Sequence, residues 1–271
     1  MTDARLLADL HAAAESVWQD VVPLCPGFAV EVLPRIDSTN SELMRRARDG
    51  ALHPLLLVAA EQSAGRGRQG RQWHSQPGTS LTFSLGLPLQ PADWSGLSLA
   101  VGVALAEALH PQVQLKWPND LCWQGRKLGG VLVETASLGA QRYAVIGVGI
   151  NLQAPELPDA VPGDAVPGEG MQALPAAGLL DLVPDAPTGV GHWLRRVAAP
   201  LLRQVLDFEA QGFAPMVARY AARDALAGRP VRLSDGREGI ADGVRADGAL
   251  WLATASGRAA VWQAEVSVRP C

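Results

Sequence analysis

Cysteine is scarce. The 271 residues hold three, Cys25, Cys122 and Cys271, widely spaced and with no CxxC among them. An odd number without a pairing pattern argues against a disulfide framework or a zinc site, and fits a reducing compartment. Histidine offers no metal site either: His11, His53, His74, His110 and His192 are scattered, and no HExxH occurs. No apolar run approaches the ~20 residues of a membrane span. Asp3, Arg5 and Asp9 interrupt any signal-peptide pattern at the N-terminus. A basic excess is also missing: the formal net charge is −4, so general DNA or RNA binding is disfavoured. There is no internal repeat, no GxxxxGK[ST] and no Ser-His-Asp pattern. What remains, 48% hydrophobic and 18% charged, is ordinary for a globular chain long enough for one large domain, a small one and a real core. The reading is a cytoplasmic protein with no membrane attachment.

Two local absences divide the chain. Residues 62–92 contain no Asp or Glu, and there Arg66, Arg68 and Arg71 alternate with Gly65, Gly67 and Gly70. Residues 152–191 contain no Lys or Arg, but seven prolines and six acids. That composition predicts a long surface loop or lid with one short helix near 171–180.

Elsewhere the periodicities are clear. Residues 1–20 predict a short helix, 28–36 a strand, and 55–61 a buried-type strand. Thr39-x-x-Glu42 is a capping box and Gly50 a suitable C′ residue, which predicts a helix over 40–49. SLTFSLGL (80–87) alternates as a strand, and 95–110 is an apolar helix. VQLKW, LCW, GGVLVE and YAVIGVGI follow as short strands, and 192–224 is helical again. The tail, 229–269, holds short β runs punctuated by Asp235-Gly236, Asp247-Gly248 and Ser256-Gly257, the size of a small barrel.

GRGRQGRQW (65–73) matches GxGxxG, but a dinucleotide fingerprint must open a helix. Here Pro77 and Gly78 follow where the first turns would run. What is left is a glycine-rich loop that admits a ligand to backbone amides, with three guanidiniums that fork onto phosphate or carboxylate. A solvated basic loop would explain one arginine better than three. KWPND (116–120) clusters Lys116, Asn119 and Asp120. If LCW and GGVLVE form a hairpin, Lys127 returns near Asn119 and Asp120; turn chemistry alone accounts for that stretch about as well. Gly147 and Gly149 in GVGINL suggest close approach to a strand, with Asn151 at its end, although tight sheet packing would suffice. DSTN offers Ser38, Thr39 and Asn40 at a helix start, where capping explains one polar residue of the three. Together these residues suit binding of ATP and a carboxylic acid for activation as an acyl-adenylate, a step that needs positioning and charge neutralisation.

DSTN, EQSAGRGRQGRQW, KWPND, GRKLGGVLVE and GVGINL, in this order and spacing, resemble the catalytic region of biotin–protein ligases. The resemblance covers most of the chain apart from 1–30 and 152–191, and the ensemble is specific where each motif alone is not. It implies an α+β fold: a central mixed β-sheet with flanking helices, of the class II aminoacyl-tRNA synthetase-like biotin ligase type, over 1–224. A small C-terminal SH3-like β-barrel over 225–271 would follow. It implies that MgATP activates biotin to biotinyl-5′-AMP, which then acylates one lysine on a biotin carboxyl carrier domain of a biotin-dependent carboxylase.

Carried over by motif, Ser38, Thr39, Asn40 and Gln62 would surround biotin. Arg66, Gly67 and Arg68 would close over its carboxylate and the α-phosphate as a mobile lid, and Arg71 would grip the outgoing phosphates. Trp73 would wall the adenine and Asn151 contact the nucleotide. Lys127 would stabilise the developing charge, acting with Arg68 and Asp120 as catalytic groups. Asn119 and Asp120 would work near Mg²⁺ or the incoming amine. Gly129, Gly130, Gly147 and Gly149 would give the ligand backbone room. Met171 or Leu174 would cover the adenylate.

Bifunctional members carry an N-terminal winged helix-turn-helix. Only 36 residues precede DSTN, so the expectation is a monofunctional ligase without operator binding. A homodimer is left open. The competing readings are a lipoate or octanoate ligase, a non-catalytic biotin or nucleotide sensor, and an RNA-binding module using the arginine loop and Trp73; the acidic net charge opposes the last.

Overall fold

The computed structural model describes residues 3–155, 174–262 and 268–270. Its centre is a sheet of seven strands: β1 (Ala29–Leu33), β2 (Leu55–Ala59), β5 (Ser80–Pro88), β6 (Gln114–Lys116), β7 (Asp120–Trp123), β8 (Arg126–Leu138) and β9 (Gln141–Asn151). Their spatial order is β1-β2-β5-β9-β8-β7-β6. β1 pairs with β2 in parallel, and the other ladders are antiparallel. Between β2 and β5 the chain makes a small hairpin, β3 (Gly65–Arg66) against β4 (Gln72–Trp73). The expected strands and the LCW/GGVLVE hairpin are therefore present.

The alternation of side chains along these strands sorts the sheet into two faces. Leu56, Val58, Leu81, Phe83, Leu85, Ala144, Ile146 and Val148 enter one large apolar core. That face is covered by α1 (Asp3–Val21), α3 (Leu97–Leu109) and α5 (Val190–Gln211), which pack on one another and on β1, β5 and β8. α1 buries Leu6, Leu10, Ala13, Val17 and Val21, a stripe at helical spacing. α3 is apolar all round and buries both sides, as its composition predicts. The opposite face carries α2 (Thr39–Arg48), whose Leu43, Met44 and Ala47 meet Leu55, Leu57, Tyr143 and Val145. α2 covers only part of that face.

The cap of α2 lies one residue earlier than expected. Ser38 is the N-cap and accepts from Ser41 N at 3.4 Å. Glu42 does not reach back to the cap but pairs with Arg45 and Arg46. The two arginines outbid the cap amide for that carboxylate, and Thr39 is released for other work. In the proline-rich stretch the short helix is α4 (Leu179–Leu182), overlapping the end of the expected 171–180 window, of which 171–173 lie outside the described residues.

After α6 (Val217–Ala221) come β10 (Pro230–Leu233), β11 (Glu238–Val244), β12 (Leu250–Thr254), β13 (Gly257–Val261) and β14 (Val268–Pro270). They form a second, antiparallel sheet in the order β13-β12-β11-β10-β14. Among the described residues no ladder joins β13 to β14, so the expected barrel is an open sheet in its pairing. Val231, Leu233, Leu250, Leu252 and Val268 belong to the same apolar core as the helices. Trp117, fully buried, donates its Nε1–H to Gly248 O at 3.1 Å and ties the KWPND turn to this sheet.

Candidate active site

A cavity of about 260 Å³ opens on the face of the large sheet that α2 leaves uncovered. The residues that make room for it are glycines on β9. A Cβ on Gly147 would collide with the Asn40 amide, and one on Gly149 with the Trp73 indole. Neither neighbour could approach the strand over a larger residue. Gly130 on β8 also lines the cavity. Gly129 is not among the lining residues: a Cβ there would point the other way along the strand and meet Gly149 O and Leu121.

One side of the cavity is a row of buried polar groups. Ser38, Thr39 and Asn40 are each 3% exposed or less. Gln62 Oε1 accepts from Thr39 N at 2.8 Å and Thr39 Oγ1 at 3.0 Å. Ser84 Oγ, on β5, lies 2.7 Å from Thr39 Oγ1 and 2.6 Å from Asn40 Oδ1, one hydroxyl proton for two acceptors. Asn40 Nδ2 donates to Glu134 Oε2 at 3.0 Å. The row ties the start of α2 to β5, to β8 and to the segment that follows β2.

The arginine loop forms the adjoining wall. It contains no dinucleotide-type helix: a single tight turn, Arg68–Gly70, leads into β4. Arg66, Arg68, Arg71 and Trp73 all line the cavity. Arg66 is held by Glu134 at 3.1 Å. Burial holds the Arg68 guanidinium below its ordinary range, with Asp120 opposing that shift and Arg71 adding to it. A cation in that position gains from a bound anion. Trp73 Nε1–H is buried and has no hydrogen-bond partner among the described residues.

KWPND and Lys127 supply the third wall. Asp120 Oδ2 lies 3.3 Å from Lys116 Nζ and Oδ1 lies 2.6 Å from Lys127 Nζ. Burial raises the Asp120 carboxyl, but the Lys127 and Lys116 ammonium groups outweigh it and hold the carboxyl below its ordinary range. Asn119 Nδ2 donates to Val131 O at 2.8 Å. The hairpin thus brings Lys127 back to Asn119 and Asp120, as the spacing suggests. Asn151 donates to Ala177 O at 3.3 Å, and Lys127 N to Pro175 O at 2.7 Å, so the returning end of the proline-rich stretch runs beside Lys127. Leu174 lines the cavity, whereas Met171 lies outside the described residues. Val268 of the second sheet lines it as well.

Every predicted residue except Gly129 and Met171 is therefore brought to one cavity. Its described lining carries five cationic side chains, Arg66, Arg68, Arg71, Lys116 and Lys127, against the single carboxylate of Asp120. Sequence reasoning missed Ser84 and Glu134 as structural partners of the site. Their signal was present: SLTFSLGL places Ser80, Thr82 and Ser84 on alternate positions, and Glu134 ends the GGVLVE run. Lys116 was seen in its motif, but not as the buried partner of Asp120.

A glycine-floored cavity walled by cations, with a lysine held in it by a carboxylate, suits anionic ligands. The chain belongs to the biotin/lipoate A/B protein ligase family, whose model matches residues 32–151. It is 39% identical over 237 residues to the bifunctional ligase/repressor BirA of Escherichia coli (strain K12), spanning 83% of this chain and 70% of that protein. It is 34% identical to the biotin–[acetyl-CoA-carboxylase] ligase of Mycobacterium tuberculosis, spanning 92% of this chain and 89% of that protein. The fold matches the biotin protein ligase from Aquifex aeolicus in complex with biotin and ATP, with a TM-score of 0.72 at 27% identity over 89% of this chain and 99% of that one. No helix among the described residues is long and apolar enough to cross a membrane.

Proposed function

We propose that the protein is an ATP-dependent biotin–protein ligase whose cavity binds biotin and ATP side by side. In the first step a biotin carboxylate oxygen attacks the α-phosphorus of ATP, and the bond to pyrophosphate breaks, leaving biotinyl-5′-AMP. In the second, a lysine amine on the carrier domain of a biotin-dependent carboxylase attacks the acyl carbon. The carbon–oxygen bond to AMP breaks, the nitrogen loses its proton and an amide remains.

Ser38, Thr39, Asn40 and Gln62 bind the polar ring of biotin over Gly130 and Gly147. Arg66 and Arg68 meet the carboxylate and α-phosphate, Arg71 the departing phosphates, and Trp73 and Asn151 the nucleoside. Lys127, fixed by Asp120, stabilises charge on the α-phosphate as the bond to pyrophosphate breaks. Magnesium would enter with the nucleotide. The lining side chains do not suit a bare cation, because Asp120 is clasped by two ammonium groups. Leu174 covers the adenylate from the loop side.

The observation that carries this reading is the convergence of five cations on a glycine floor, with Lys127 held 2.6 Å from Asp120. ATP–pyrophosphate exchange with Mg²⁺, comparing biotin, lipoate and no acid, tests it. Exchange with biotin alone is expected. Exchange with lipoate alone overturns the substrate, and no exchange from folded protein favours a sensor.

A further inference from the structure

Glu134 stands outside the cavity lining, yet it is the group through which the polar row and the arginine loop meet. Its Oε2 accepts from Asn40 Nδ2 at 3.0 Å, and its Oε1 lies 3.1 Å from Arg66 Nη1. Asn40 in turn meets Ser84, and Ser84 meets Thr39, whose backbone and hydroxyl hold Gln62. The bonded path therefore runs from the residues that surround the acid's polar ring to the first arginine of the loop. Arg66 lines the cavity while it is paired with Glu134. A guanidinium has five N–H donors in a fixed fork, so a pair through Nη1 leaves others to face a ligand. The glycines that flank Arg66 resist disorder poorly by themselves.

We infer that Glu134 is a positioning residue for the acid substrate: it anchors Arg66 over the cavity and couples the placing of that arginine to the polar row that binds the substrate's ring. This rests on the ligase reading above. Glu134 does not touch the substrate. It lowers the entropy lost when Arg66 closes on the carboxylate, so its effect falls on acid binding rather than on the nucleotide or the chemical step.

The test is a double-mutant cycle on the full chain, read by ATP–pyrophosphate exchange and by limited trypsin digestion with mass-identified fragments. E134Q keeps an oxygen for Asn40 and removes the charge that holds Arg66. It is expected to raise the KM for biotin about two- to fivefold, the scale of a partly exposed ion pair. kcat and the KM for ATP should change less than about twofold. Cleavage after Arg66, Arg68 and Arg71 should quicken, and E134D should restore part of the loss. In an R66A background E134Q should add nothing to the KM for biotin. An unchanged KM and unchanged cleavage in E134Q would overturn the inference. So would a full E134Q effect in the R66A background. A wild-type protein without biotin-dependent exchange would sink the ligase reading instead, and the cleavage arm would still report whether Glu134 holds the loop.

Discussion

Strand β5 shows its two faces differently. Leu81, Phe83, Leu85 and Leu87 are 1% exposed or less and lie in the core under α1, α3 and α5. Ser80, Thr82 and Ser84, one residue out of step with them, are equally buried but polar, and every one of their hydroxyls is hydrogen-bonded. β9 repeats the contrast, with Ala144, Ile146, Val148 and Ile150 on one side and Gly147, Gly149 and Asn151 on the other. The lesson concerns burial. On the helix face, burial stabilises by removing apolar surface from water, about 1.5–3 kcal/mol for each large side chain. On the site face, burial lowers the dielectric around groups that must meet charge, which strengthens their pull on an anion and makes any unpaired one costly.

Mutations on the two faces should therefore separate stability from catalysis. The largest effect expected is that of Lys127→Ala, about a thousandfold or more off the rate of biotin-dependent pyrophosphate exchange, with the protein still folded because Lys116 still faces Asp120. Near-normal exchange with a lowered melting point would place Lys127 on the structural side of the comparison.

A sharper contrast comes from neighbours on one strand. Leu85→Ala should cost about 2–5 kcal/mol in denaturant unfolding and leave the KM for biotin of the folded protein within about twofold. Ser84→Ala should cost only about 1 kcal/mol of stability yet raise that KM several-fold, because Asn40 and Thr39 lose the hydroxyl between them. Identical profiles for the two variants would erase the distinction between the faces.

The smallest effect lies at the rim. Arg45 hydrogen-bonds Asp37 and holds its carboxyl down at about 2. A carboxyl lowered in the folded state adds stability that is complete above its unfolded value, about 3.9, and is lost as pH falls through about 2. Asp37→Asn should lower the melting temperature by about one degree at pH 6, since the pair is exposed, and by less at pH 2, where the carboxyl is partly protonated in the folded protein. A large drop at pH 6 would mean that this rim pair is part of the site's structural frame.

Much of this was legible beforehand because it is local. Helix periodicity, turn residues and strand alternation are written in runs of a few residues, and α1, α3, β5 and the β7–β8 hairpin followed them. The failure of GRGRQG as a dinucleotide turn was legible for the same reason, since Pro77 and Gly78 forbid the helix it requires. The cap of α2 was misplaced by one residue because Ser38 and Thr39 are equivalent caps by propensity. The choice was made by Gln62 and Ser84, 23 and 45 residues further on, which draw Thr39 into the polar row. Gly129 and Gly130 look alike in a motif, whereas a strand sends neighbours to opposite faces, and of the two Gly130 lines the cavity.

By itself the sequence determined the elements, the family and the residue types of the site: glycines where backbone must be approached, arginines without nearby acids, and a lysine a hairpin's length from Asn119 and Asp120. Only the tertiary structure decided which alternation of each strand faces the cavity, that Glu134 meets both Asn40 and Arg66, that Asp120 is shared by two lysines, and that Val268 of the second sheet reaches the same cavity. The reason is physical. Propensity and periodicity act over one or two turns of chain, but facing, charge sharing and burial depend on which distant strands pair, and pairing is settled by the whole core at once.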